Sequence, residues 1–331
     1  MGDRKYLITG VNGFIGAHMT NYLLNRQDQV YGLVRNQQLT NELLNDETKK
    51  KVKLLSGDVT NRKALEEIFK EERFDGVFHF AAQSHAPTSF DRVMPTFLVN
   101  SYGAVNLAEA IERFQPECAL VYASSGEVYG NVEQSKQPIT EETDVNPITP
   151  YGVGKASADL YVRERGKSSG LKFVVGRGFV SVGPGREKRF SVSSDAYQIA
   201  RILKGMQEPV INVGNLSSRR AVIDVVDCVG AYHALMELAV SGDKRAIGEA
   251  YNIAGDKVYS MRELLDEMRR ISGLEGKVEI KVDGGLVRKI DIPVQIPDTT
   301  KIKETTNWRP KIQMDQTLRG LLSYWDKKLA N

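Results

Sequence analysis

The first half of the chain alternates short β-branched and aromatic runs with longer stretches of helical periodicity. Near-continuous apolar runs predict strands over 5–9, 30–34, 52–56, 76–81, 119–123 and 171–177. Helical patterns fall between them over 14–26, 62–72, 95–113 and 151–168. Strands that lack an apolar–polar alternation are buried on both faces. The pattern therefore predicts an α/β fold, a doubly wound parallel sheet with helices on both sides. The longest irregular stretch, 130–149, holds Pro138, Pro147 and several acids. A loop that long inside a compact domain is expected to be functional or mobile.

Beyond Arg177 the rhythm changes. Gly183-Pro184-Gly185 punctuates the chain, helices are predicted over 194–204, 224–239 and 315–328, and strands over 209–213 and 250–253. Ser260-Met261-Arg262-Glu263 has capping-box spacing and opens a helix toward Ser272. The expected division is a dinucleotide-binding part over 1–178, with return segments near 221–254. Residues 179–220 and 255–331 would form a smaller C-terminal α/β substrate domain.

Composition narrows the reading. At 331 residues the chain is long enough for two domains, and 41% hydrophobic with 26% charged residues is an ordinary globular mix. A net charge of +3, evenly spread, gives no reason to expect nucleic acid or an anionic membrane as partner. No apolar run approaches the roughly 20 residues that span a bilayer. Residues 1–6 lack the layout of a signal peptide. Cys118 and Cys228 stand alone without metal-ligand spacing, so neither a disulfide nor a metal is expected, and the cytoplasm is the natural compartment.

The first chemical signal is Gly10-Val11-Asn12-Gly13-Phe14-Ile15-Gly16, placed between the first strand and the first helix. Glycines let the backbone turn tightly and approach a pyrophosphate, and the helix N-terminus offers unpaired N–H groups. The second strand ends next to Arg35. An acid there would bind the ribose hydroxyls of NAD, whereas an arginine suits the 2′-phosphate of NADP. Asp58 and Val59 follow the third strand, where a carboxylate can accept from an adenine amino group or simply form a turn. Tyr151 and Lys155, four residues apart, share one helix face. A cation near a phenol lowers its pKa and makes a proton shuttle beside a hydride-transfer site.

Together with Ser124-Ser125-Gly126-Glu127-Val128-Tyr129-Gly130 after the fifth strand, these motifs resemble the extended short-chain dehydrogenase/reductases. Those are Rossmann-fold epimerases and dehydratases of nucleotide sugars. The resemblance continues through His79-Phe80-Ala81-Ala82-Gln83-Ser84-His85, Asn100, Gly183-Pro184-Gly185 and Asn307-Trp308-Arg309-Pro310. Residues 209–215 with Arg220, and Val287-Arg288, are most similar to GDP-mannose 4,6-dehydratases and GDP-4-keto-6-deoxymannose reductases.

The resemblance implies catalytic roles for Ser125, Glu127, Tyr151 and Lys155, and cofactor contacts from Ala81 and Ala82 beside the residues already named. It implies substrate contacts from Ser84, His85, Asn100, Val180, Arg186, Arg220 and Arg288, an NADP cofactor, a GDP-sugar substrate, and a homodimer or dimer of dimers packed through 95–113 and 151–168. Glu127 is the informative residue, because a 4,6-dehydratase needs a base for the C5 proton and a simple 4-epimerase does not. Gly126 stands where many dTDP-glucose dehydratases carry an aspartate, Val180 where relatives place an asparagine, and Ala221 where they often carry an aspartate.

His79 and His233 read as packed core histidines, Trp308 as a structural anchor, and His85 as either a sugar-pocket or a loop residue. Three functions remain open: a 4,6-dehydratase, a reductase or epimerase, and a cofactor-sensing protein without activity.

Overall fold

Strand and helix alternate from the N-terminus in the computed structural model, which describes residues 3–287 and 290–330. In chain order come β1 (Lys5–Thr9), α1 (Phe14–Asn25), β2 (Gln29–Val34), α2 (Asp46–Lys51), β3 (Val52–Ser56), α3 (Arg62–Glu71) and β4 (Gly76–His79). Then follow α4 (Ala86–Asp91), α5 (Val93–Phe97), α6 (Gly103–Phe114), β5 (Ala119–Ser125), α7 (Pro150–Ser169) and β6 (Phe173–Gly178). The second half adds β7 (Val180–Val182), α8 (Ser191–Leu203), β8 (Val210–Val213), β9 (Arg219–Asp224), α9 (Val225–Val240) and β10 (Ala250–Ile253). It ends with β11 (Val258–Ser260), α10 (Met261–Ile271), β12 (Glu279–Val282), β13 (Val294–Gln295), α11 (Thr300–Thr306) and α12 (Met314–Lys328).

The apolar runs of the first half pair in parallel, in the order β10-β6-β5-β4-β1-β2-β3. This is the doubly wound sheet that the sequence predicts, and the order reverses between β1 and β4, where such sheets bind ligands. Both faces are buried, one under Met19, Leu235 and Met236, the other under Leu65, Phe69, Leu107 and Ile111. The chain re-enters this layer late: α9 packs on β5 and α1, and β10 extends the sheet beyond β6. Strand β9 instead joins β7, β11 and β13, and β8 pairs β12. A separate core of Val192, Ile199, Leu264, Leu265, Leu318 and Trp325 supports these small sheets.

Several boundaries differ from the pattern for identifiable reasons. The run 76–81 stops at His79 because the Ala81 N–H leaves the ladder and donates to Thr9 Oγ1 at 3.2 Å. The helix expected over 95–113 is interrupted by a π-turn at Leu98–Tyr102, which contains Asn100. Its amide is bound twice to the main chain of Gln83, at 2.8 and 3.0 Å. Such insertions in a helix commonly mark functional regions. Helix α2 has no apolar stripe and escaped the pattern; Asn45 caps it by accepting from the Thr48 N–H at 2.8 Å. The stretch 130–149 is anchored at Ile139, whose N–H donates to the Ile296 carbonyl at 2.7 Å and whose carbonyl accepts from the Asp298 N–H at 2.8 Å. The capping box forms as read, with the Glu263 N–H on Ser260 Oγ at 3.1 Å and the Ser260 N–H on Glu263 Oε2 at 2.6 Å.

The interior also holds an ion pair. Arg177 on β6 and Asp159 on α7 are 1% and 0% exposed, and two hydrogen bonds of 2.9 Å join them. Asp159→Asn leaves a guanidinium charge unpaired in the core and should cost about 3–5 kcal/mol, whereas Asp159→Leu with Arg177→Met removes both charges and should cost far less. Urea denaturation of the two variants checks this. Equal losses would mean that packing, not charge pairing, fixes α7.

Candidate active site

The loop between β1 and α1 is built so that backbone can approach a ligand. Gly10 has φ +75°, and a Cβ there would lie 2.7 Å from the Ala81 nitrogen. A Cβ on Gly16 would strike the Gly10 carbonyl. Gly13 caps α1 without a side-chain hydrogen bond, and no acid lies in the first turn. The N–H groups of α1 are thus left to an anion, as a dinucleotide diphosphate requires. The cradle fits that group.

The other predicted cofactor residues are distributed around it. Asn12 braces the following loop, donating to the Gln38 carbonyl and accepting from the Thr40 N–H, both at 2.8 Å. Ile15 packs into the core, Phe14 is half-buried and Arg35 is exposed at the end of β2. Asp58 Oδ1 accepts from the N–H and hydroxyl of Thr60, each at 2.8 Å, so one oxygen serves its own turn. Val59 is buried against the second core, and Ala81 and Ala82 form the turn beside Gly10.

Strand β5 delivers Ser125, and the 3₁₀ turn Gly126–Tyr129 that follows presents Glu127. Ser125 Oγ accepts from the Glu127 N–H at 3.2 Å and is hydrogen-bonded to the Tyr151 hydroxyl. Thr149 belongs to none of the motifs. Its oxygen accepts from the Gly152 N–H at 2.9 Å and caps α7, which directs its proton to Glu127 Oε2 at 3.3 Å. A threonine before Pro150 is a helix-start signal that could have found it. A Cβ on Gly126 would lie 2.6 Å from the Phe179 ring, so Phe179 occupies the space an aspartate would need there.

The electrostatics correct one expectation. Burial pushes the Tyr151 phenol up to about 12; the Ser125 hydrogen bond and the Arg186 charge oppose the rise, and the Glu127 charge adds to it. The sequence motif makes Lys155 the group that lowers this phenol. Instead its ammonium donates to the Ala123 carbonyl at 2.8 Å, 5.0 Å from the Tyr122 ring centre. Burial brings Lys155 down to about 7, against the pull of Asp159. The cation that acts on Tyr151 is Arg186, held 3.6 Å from the Phe190 ring centre and 5.0 Å from that of Phe14, and brought down to about 10 by burial.

Of the predicted substrate residues, His85 comes into this group, its ring edge-on to Phe190 at 5.5 Å and its Nδ1 2.8 Å from Thr88 Oγ1. Ser84 is exposed on the same turn. Asn100 is buried and its amide is engaged with Gln83, so it holds the turn rather than facing a cleft. Val180 pairs Val222 in the small sheet. Arg220 is buried on β9, donating to the carbonyls of Arg219 and Pro293 at 2.8 and 3.3 Å, with Asp291 at 3.5 Å. Arg288 lies outside the described residues.

His79 is buried with Nδ1 2.6 Å from Thr9 Oγ1, but its Nε2 has no partner, so it is only half satisfied. His233 is buried under Tyr22, and Trp308 is anchored by its indole N–H to the Asp227 carbonyl at 3.2 Å. Among the described residues no helix is long and apolar enough to cross a membrane.

Known proteins share this architecture. The family model described as GDP-mannose 4,6 dehydratase matches residues 7–321. GDP-6-deoxy-D-mannose reductase of Pseudomonas aeruginosa is 29% identical over 326 residues, 98% of each chain. GDP-mannose 4,6 dehydratase of Homo sapiens is 28% identical over 347 residues, 96% of this chain and 90% of that one. The solved structure of RMD from Pseudomonas aeruginosa complexed with NADPH matches with a TM-score of 0.82 at 28% identity, covering 98% of this chain and 99% of that one. With the family model matching residues 7–321 and relatives aligned over nearly the whole chain, the chain belongs to the GDP-mannose 4,6 dehydratase family, enzymes of the extended short-chain dehydrogenase/reductase type that act on nucleotide sugars.

Proposed function

We propose that the enzyme is an NADP-dependent 4,6-dehydratase of a nucleoside diphosphate sugar, with a GDP-mannose-like substrate. The observation that carries this reading is the Glu127 carboxylate set beside Ser125 and Tyr151, with the Thr149 proton directed at it. A redox-only reaction asks less of that carboxylate.

A nicotinamide dinucleotide, which the 10–16 cradle would hold with Arg35, Asp58, Val59, Ala81, Ala82 and Lys155, would supply acceptance of the C4 hydride and its return to C6. Ser125 would hold the C4 oxygen of the sugar while Tyr151, in its phenolate form with the Arg186 charge offsetting it, takes the hydroxyl proton. The resulting ketone acidifies the C5–H, and Glu127 removes that proton. The C6 hydroxide departs with the proton from Glu127 as water, and C5 later regains a proton from solvent. Arg220 is the favoured diphosphate ligand, and Arg186 sits beside Tyr151 to offset charge on the phenol.

A second reading, a reductase of a GDP-4-keto-6-deoxy sugar, is favoured by the 29% identity to the Pseudomonas reductase and by NADPH in the related solved structure. A 4-epimerase would use the same Ser125, Tyr151 and Lys155 with no demand on Glu127. For assembly, Met94 on α5, Leu98 and Tyr102 in the π-turn after it, and Val153 and Leu160 on α7 expose apolar side chains that a second copy would cover.

Three outcomes are expected. Glu127→Gln keeps the size of the side chain and loses the base, so elimination should fall by about two to four orders of magnitude while the first hydride transfer survives. Reduced-nicotinamide absorbance should then accumulate on the enzyme; turnover at the wild-type rate would transfer the assignment to the reductase or epimerase reading. Dissociation constants should favour NADP over NAD, and Arg35→Ala should erase about tenfold or more of that preference, the worth of a hydrogen bond to a charged group. Equal affinities in the wild type would remove Arg35 as the discriminator. Light scattering at micromolar concentration should give the mass of two chains, and a monomer mass would sink the dimer.

A further inference from the structure

A nucleotide sugar has a fixed length between its diphosphate and its reacting carbons. In this fold the two ends fall to separate elements, Arg220 on β9 and the Ser125–Glu127 turn at the end of β5. We propose that Gln295 is the positioning residue that sets the spacing between them, an inference that rests on the reading of Arg220 and Glu127 given above.

The geometry is direct. In the parallel pairing of β13 with β9, Gln295 lies opposite Arg220. Its side-chain amide reaches out of that sheet and donates to the Gly126 carbonyl at 3.0 Å. Gly126 is the link between Ser125 and Glu127. Gln295 is 5% exposed, so water does not compete for this bond, and losing the donor would leave a buried carbonyl unpaired. One residue thus touches the diphosphate strand with its main chain and the catalytic turn with its side chain.

The strand that carries it is fixed in register from both sides. Toward Arg220, the guanidinium donates to the Pro293 carbonyl at 3.3 Å, and Asp291 Oδ2 accepts from Asn215 Nδ2 and Ser218 Oγ, both at 2.7 Å. On the other side, Gln137 donates to the Val294 carbonyl at 2.9 Å and accepts from the Ile296 N–H at 2.8 Å. A slip by one residue would shift β13 by about 3.3 Å, and misplacement of about 1 Å at a reacting centre can cost about a hundredfold. The amide of Gln295 neither titrates nor supplies a proton in the proposed reaction. It acts through Gly126.

The test uses the full-length enzyme with GDP-mannose, or with whichever sugar nucleotide the wild type dehydrates. Gln295→Met keeps length and apolar packing but loses the donor. It should lower kcat by about 10- to 100-fold with KM within about threefold, because Arg220 still seats the diphosphate. Introduced into Glu127→Gln, it should cause no further loss, since both act on one turn. A rise in KM at unchanged kcat, or losses that add in the double variant, would overturn the inference. If Gln295→Met does not fold, Gln295→Glu, which is nearly isosteric, is judged by the same numbers. The single variants separate the two claims. Wild-type turnover in Glu127→Gln defeats the dehydratase reading and this inference with it, whereas a collapsed Glu127→Gln beside a wild-type-like Gln295→Met defeats the inference alone.

Discussion

Arg177 carries its charge where there is no water, and Asp159 makes that position tolerable. The pair costs desolvation on both sides, which only well-made hydrogen bonds offset. Those bonds determine more than two residues. Arg177 also donates to the Tyr129 hydroxyl at 2.9 Å, and Tyr129 donates to Asn252 on β10 at 2.8 Å. Asn252 in turn donates to the carbonyl of Ile139 at 2.9 Å. Helix α7, the catalytic turn, the last strand of the sheet and the 130–149 loop are therefore tied to one buried network, whose members lose partners together if one is removed.

The candidate active site is built outward from that network. Asp159 stands one turn beyond Lys155, which stands one turn beyond Tyr151, so anchoring α7 places all three. Thr149 then joins the start of α7 to Glu127, and Phe179 closes the space beside Gly126. Burial of these polar groups sets the direction of the shifts. Burial raises the phenol of Tyr151 and lowers the ammonium of Lys155, and among the described residues the cation that eases Tyr151 comes from Arg186, on the segment leading into α8. Both groups are held closer to neutrality than in water, a setting that favours passing protons over storing charge.

Much of this was legible in the chain. The apolar runs predict the parallel sheet because a strand buried on both faces cannot alternate, and the spacing of Gly10 and Gly16 reflects backbone contacts that admit no side chain. Ser125, Tyr151 and Lys155 stand out because strand end and helix start place them by local geometry. What escaped the sequence depends on contacts between distant segments. Nothing local marks Arg186 as the cation near Tyr151, turns Lys155 toward the Ala123 carbonyl, or puts Gln295 against Gly126. The π-turn at Asn100 follows from a bond to Gln83, 17 residues away in the chain. Helix α2 escaped because a helix of polar residues leaves no stripe to read.

The central claim is that Glu127 makes this site a dehydratase. The most direct measurement is the product mass after incubating the purified wild-type enzyme with sugar nucleotides, 4-keto-6-deoxy forms included, and with NADP or NADPH in deuterated water. The account predicts loss of one water with one solvent deuterium at C5. A product that keeps its oxygen, with two hydrogens gained at the expense of NADPH or an inverted C4 at unchanged mass, would contradict it.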